Sequence, residues 1–266
     1  MPEMAGGDMT PSSRRALGVA LLILLAGCAD PSGKGADAPG KPDLAHSLQD
    51  AAQQALATGD AATAATYFRG VYTREPGNTQ AALGLMQSLR LIGSVDEARE
   101  VANKLLAAKP DDPAVLAAVG KFKLATGQAK DAVAPLEKAA AADAEDWRSR
   151  SALGLAYDRL GDYASADRSY RAALAISPDN AAVLNNLALS RAMAGDLDEA
   201  RGLAQRAAAA AGADLRVKQN LALIYALSGN MAKAEEMTRR DLPPAAARET
   251  IEYYKELAAA AEPPRQ

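Results

Sequence analysis

The chain has 266 residues and a net charge of −3, from 30 Lys and Arg against 33 Asp and Glu. Both signs are interspersed and no basic stripe is available to neutralise phosphates, which argues against nucleic-acid binding. Apolar residues make up 49% of the chain but aromatics only 4%, so the core must come from close approach of small and aliphatic side chains, as between helices.

At the N-terminus Arg14-Arg15 precede a ten-residue apolar run from Ala16 to Leu25, followed by Ala26-Gly27-Cys28. A run this short cannot cross a hydrocarbon core of about 30 Å, which takes about 20 helical residues. A charged start, a short apolar stretch and small residues before the cut predict a signal peptide over residues 1–27. Glu3 and Asp8 are unusual in such a start, and initiation at Met9 would leave a conventional signal. The segment resembles a bacterial lipoprotein signal. That resemblance implies acylation (palmitate among the chains) of Cys28, the only cysteine, and Ala29 after it implies sorting to the outer membrane, facing the periplasm. Residues 28–44, rich in Gly and Pro with almost nothing apolar, are expected to form a disordered tether with a reach of roughly 20 Å.

Beyond the tether, Gly59, Gly93, Gly127, Gly161, Gly195 and Gly229 recur at a constant spacing of 34 residues, each followed five residues later by Ala64, Ala98, Ala132, Ala166, Ala200 or Ala234. That period is the mark of a tetratricopeptide repeat (TPR) array, in which each repeat is a helix–turn–helix unit. Six repeats over residues 45–242 start at Ala45, Thr79, Pro113, Trp147, Ala181 and Leu215. Each glycine is expected to close the first helix (A) in a left-handed turn. Each alanine is expected to let the second helix (B) pack close. Position 8 of the repeat holds Ala52, Met86, Gly120, Gly154, Ala188 and Ala222, small in all but one case. Pro76, Pro110 and Pro178 at position 32 stop helix B, with Ala144 and Gly212 as departures. Repeat four fits the TPR pattern best, with Leu153, Gly154, Tyr157, Gly161, Ala166, Tyr170, Ala173 and Pro178. Trp147, the only tryptophan, is expected to pack at the junction of repeats three and four. Pro243 and Pro244 end the array, and residues 243–266 are expected to supply a capping helix, with Ile251, Tyr254 and Leu257 on one stripe. The fold expected is all-α: a right-handed TPR α-solenoid of about 13 helices.

No catalytic constellation is present. The single histidine, His46, and the single cysteine cannot complete a zinc site. No Gly-rich loop follows a strand. Acidic pairs such as Asp111-Asp112 and Glu235-Glu236 fall at helix starts or solvent faces, where they serve the helix dipole and solubility. The chain is therefore expected to be a binding scaffold, not an enzyme, with no metal and no cofactor.

In such arrays helix A lines the concave face, mostly through positions 2, 5, 6, 9, 12 and 13. These positions present Arg148, Ser151, Leu155 and Arg159, then Asn185, Asn186, Leu189 and Met193, then Arg216, Gln219, Asn220, Leu223 and Leu227. Asn186 and Asn220 are one repeat apart, so their carboxamides are expected side by side, with donors and acceptors suited to an extended peptide backbone. The alternative is that these asparagines bond across helices. The first three repeats offer Gln49, Gln53, Gln87, Arg90 and Lys121 amid alanine and leucine, which makes the C-terminal half the favoured groove.

With a lipobox, tether, six repeats and cap, the chain resembles the TPR lipoproteins of Tad (Flp) pilus assembly, the TadD family. The resembling features lie in the last 120 residues: the block Asn185-Asn186-Leu187-Ala188-Leu189, the block Arg216-Val217-Lys218-Gln219-Asn220-Leu221-Ala222-Leu223, and the exit Asp241-Leu242-Pro243-Pro244. The resemblance implies an accessory factor that helps a pilus secretin assemble or localise at the outer membrane, by binding a secretin subunit or another assembly component. Type IV pilotin lipoproteins share the lipobox and six repeats. Envelope adaptors that recruit peptidoglycan hydrolases use shorter arrays and represent the regulatory alternative.

Overall fold

Each of the six recurrent glycines takes a backbone conformation that residues with a Cβ adopt only under strain, with φ between 75° and 88°. One such residue at each A–B junction reverses the chain, and the fold follows from its repetition. In the computed structural model residues 44–261 are described; the expected signal peptide, Cys28 and most of the tether lie outside them.

Thirteen helices occupy the described residues. The A helices are α1 (Leu44–Ala57), α3 (Thr79–Leu91), α5 (Pro113–Ala125), α7 (Trp147–Arg159), α9 (Ala181–Met193) and α11 (Leu215–Leu227). The B helices are α2 (Ala61–Arg74), α4 (Val95–Ala108), α6 (Ala129–Ala142), α8 (Tyr163–Ile176), α10 (Leu197–Ala209) and α12 (Met231–Asp241), and α13 (Pro244–Ala261) follows. Most starts are capped by a side chain: Asp60, Asn78, Asp112, Asp146, Asp162, Asn180, Asp196, Asp214 and Asn230 each accept a first-turn backbone N–H. Pro135 lies inside α6, where it removes one helical donor.

Packing between A and B helices depends on small residues. All six alanines of the 34-residue period have no solvent exposure. At position 8, a Cβ on Gly120 would fall 2.6 Å from the Leu136 side chain, and one on Gly154 would fall 2.7 Å from the Tyr170 ring. Gly84 plays the same part between repeats, because a Cβ there would enter the Phe68 ring. The core is accordingly a run of adjoining clusters. Phe68, Leu85, Leu89 and Val119 pack in α1–α5. Leu124, Leu136 and Ala156 bridge α5–α7, and Tyr170, Leu184, Leu187 and Ile224 fill the C-terminal half. Repeats that contact only their neighbours need closing ends. Helix α13 closes this one, burying Ala247, Ile251 and Tyr254 while the Tyr254 hydroxyl donates to the Gln219 carbonyl at 2.9 Å.

Candidate partner-binding groove

Consecutive A helices touch one another along the whole array, whereas consecutive B helices do not approach closely through their backbones. The A helices therefore line the inner, open face. B helices of neighbouring repeats meet only through long side chains: Arg69 pairs with Glu97 at 2.8 Å, and Arg171 with Glu199 at the equivalent positions three repeats on. Further pairs join an A helix to its B helix or lie within one B helix, among them Arg191 of α9 with Glu199 of α10 at 2.8 Å and Arg239 with Glu235 at 2.8 Å.

The two asparagines expected side by side do not pair with each other. Asn220 Nδ2 donates to Asn185 Oδ1 at 2.9 Å, and Asn185 is only 3% exposed. Positions 5 and 6 are about 100° apart around a helix, so position 5 of α9 turns toward α11 while position 6 turns to the open face. The alternative expectation, a bond across helices, holds for Asn220 with Asn185, while Asn186 lines the groove.

Asn186 lines a cleft of about 270 Å³ between α7 and α9, together with Leu155, Arg159, Leu189 and Met193. Met193 is 54% exposed at its lip. Arg159 donates to the Leu124 carbonyl at 3.3 Å. Asp158 also lines the cleft; sequence reasoning passed over it, although it stands at position 12 of repeat four, one of the positions expected on the concave face. Its carboxylate accepts from the Tyr170 hydroxyl at 2.8 Å and from Ser190 Oγ at 2.6 Å, tying α7 to α8 and α9. No ion pair compensates Asp158 among the described residues. Burial pushes its pKa up, against the two hydroxyl donors that pull it down.

The other expected groove residues are less grouped. Arg148 is exposed and stacks on Trp147, 4.5 Å from the ring centroid, while Trp147 packs on the C-terminal core. Ser151, Gln219 and Leu223 are half-buried. Arg216 is exposed and pairs with Asp214 at 3.7 Å. Leu227 faces a depression at the loop end beside Ala258 of α13. His46 makes an exposed contact with Asp50 at 3.5 Å. Among the described residues no three His, Cys, Asp or Glu side chains gather as a metal site, and no helix is long and apolar enough to cross a membrane.

Comparison with known proteins fits this geometry. One tetratricopeptide repeat family model matches residues 55–122 and another matches 123–181 and 151–215, together more than half of the chain. Among solved structures, a tetratricopeptide repeat protein from Parabacteroides merdae is similar over 82% of this chain and 90% of its own, at 19% identity and a TM-score of 0.63. TTC0263, a thermophilic TPR protein of Thermus thermophilus, aligns over 68% of this chain and 98% of its own, at 23% identity and a TM-score of 0.59. MamA MSR-1 aligns over 61% and 94%, at 26% identity and a TM-score of 0.52. No curated protein matches the sequence. With six glycine-turned helix pairs stacked in an open array, the chain belongs to the tetratricopeptide repeat family, an α-solenoid scaffold for protein–protein interaction.

Proposed function

We propose that the protein is a lipid-anchored scaffold of the bacterial envelope. Through repeats four to six it captures a segment of a pilus-assembly component, a secretin subunit of a Tad (Flp) apparatus, at the outer membrane. The observation that carries the reading is the α7–α9 cleft. It opens on the inner face within the part of the chain that resembles the TadD family, and it combines apolar walls (Leu155, Leu189, Met193) with the Asn186 carboxamide. An amide offering donor and acceptor beside apolar pockets suits an extended peptide, whose backbone needs both and whose side chains need burial. An acyl group on Cys28 would hold the array near a subunit bound for the same membrane and raise its effective concentration there.

The test is Asn186→Ala with Leu189→Ala in the full chain, assayed by pull-down from detergent-solubilised envelope. Recovery of the secretin should fall while the melting temperature stays near that of the parent, because both side chains are only half-buried. Undiminished secretin recovery would refute the cleft. A parent chain that recovers no pilus component would refute the pilus assignment. Cys28→Ser should release the protein from the outer-membrane fraction; unchanged fractionation would mean that protein contacts, not lipid, hold it.

A further inference from the structure

We propose that the inner face of repeats two to four is a second docking site, for an extended acidic segment of a partner protein. The segment's carboxylates pair with Arg90, Lys121 and Arg148, and its apolar side chains enter the pocket between α3 and α5. The inference rests on the reading of the inner face as a protein-binding surface, but on different repeats and different chemistry from the α7–α9 cleft.

The distribution of ion pairs between the two sides of the array carries the argument. Cations on the B helices mostly have carboxylate partners, including Arg69, Arg99, Arg171, Arg201 and Arg239. Arg90, Lys121 and Arg148 have none among the described residues, although they lie on three consecutive A helices. Lys121 is the most telling of them. It is half-buried, and its ammonium, which keeps contact with solvent, makes no hydrogen bond or ion pair to a described residue, so it is open to a carboxylate arriving from outside. Burial pushes its pKa down; the charge of Asp146 works against this, and Arg148 adds to it. A carboxylate arriving at Lys121 would supply the missing partner and offset the repulsion from Arg148.

Apolar surface adjoins these charges. Arg90 and Lys121 border a pocket of about 510 Å³ whose walls include Leu83, Met86, Ala118 and Phe122. An extended segment places alternate side chains on the same face, roughly 7 Å apart. It can therefore set an apolar residue in the pocket and acidic residues on the neighbouring cations. A folded nucleic acid is a poor occupant, since three cations in an open groove of a net-acidic chain do not make a phosphate track.

The probe is a fluorescein-labelled peptide alternating leucine and glutamate, with a leucine–glutamine twin, titrated against the detergent-solubilised full chain. The glutamate peptide should bind, and the glutamine twin should bind about tenfold or more weakly. Arg90→Gln with Lys121→Gln should weaken the glutamate peptide by a similar factor at an unchanged melting temperature. Affinity should also fall as salt is raised. In the parent, the NMR titration midpoint of the Lys121 ammonium should rise when the glutamate peptide is bound. Equal affinity for the two peptides, undiminished binding by the double variant, an unmoved Lys121 midpoint or no binding at all would each overturn the site. None of these touches the α7–α9 cleft, which is read from secretin recovery by the Asn186 and Leu189 variant. Loss of that recovery with peptide binding intact would leave both sites standing.

Discussion

Gly154→Ala is the sharpest test of the packing argument, because two effects of opposite sign meet at one atom. In a helix interior alanine is favoured over glycine by about 1 kcal/mol, so propensity alone predicts a more stable protein. The new Cβ, however, would stand 2.7 Å from the Tyr170 ring, against a comfortable carbon–carbon separation of about 3.5 Å. Tyr170 has no solvent exposure and is held at its far end by the 2.8 Å bond to Asp158. The ring cannot retreat without straining that bond or parting α7 from α8. Overpacking of this kind costs about 1–3 kcal/mol, and a lost hydrogen bond to a charged group costs about 1.5–3 kcal/mol more. Less the gain in propensity, the net expectation with the bond given up is a loss of about 1.5–5 kcal/mol, read by circular dichroism as a melting temperature lower by about 2–4 °C for each kcal/mol. Gly202→Ala is the matched control. Gly202 lies inside α10 with no atom within 4 Å of an added Cβ, so only propensity acts and the melting temperature should rise. If Gly154→Ala melts at or above the parent, the close A–B approach is not what glycine serves at position 8.

Asn185→Ala leaves the Asn220 amide without its acceptor in a half-buried position and should cost about 1–2 kcal/mol in a denaturation curve; an unchanged curve would return Asn220 to the groove. Pro135→Ala restores a backbone donor inside α6 and should stabilise by about 1–3 kcal/mol, with no gain meaning that α6 has already absorbed the proline without loss. Hydrogen bonds from the helix starts hold the carboxyls of Asp60 and Asp162 below the ordinary aspartate range, as the Arg191 guanidinium does for Asp196. Their stabilisation is present above an unfolded pKa of about 3.9 and is lost as pH falls through the lower folded values. Asp158, with its raised pKa, runs the other way: its burial disfavours the fold less as pH falls through its folded value. Melting temperature should thus decline as pH drops below about 4, whereas Asp158 adds stability as pH falls from its raised folded value toward the unfolded value of about 3.9; Asp158→Asn should lose that gain just above pH 4, and a profile there equal to the parent's would show that Asp158 does not titrate against the fold.

Much of the architecture was legible in the chain because the turn requirement is local. A residue able to take φ near 80° is needed wherever an A helix reverses into a B helix, and glycine meets that need whatever surrounds it. A period of 34 residues in glycine therefore reports the repeat without any knowledge of tertiary contacts. The recurrence of small residues at position 8 was legible as well, and at Gly120 and Gly154 the space left between the two helices has no room for a Cβ. Equivalent position in a repeat did not reveal which side chains meet. Asn186 and Asn220 are equivalent in sequence, but Asn220 bonds Asn185, because adjacent residues on a helix face different neighbours. Asp158 in the lining of a cleft, and Arg90, Lys121 and Arg148 as cations lacking the partners found on the B helices, depend on which helices the superhelix brings together and which surface it leaves open. Sequence periodicity determines the unit and its turn; only the stacking of one unit on the next decides which polar groups are satisfied within the array and which are left for a partner.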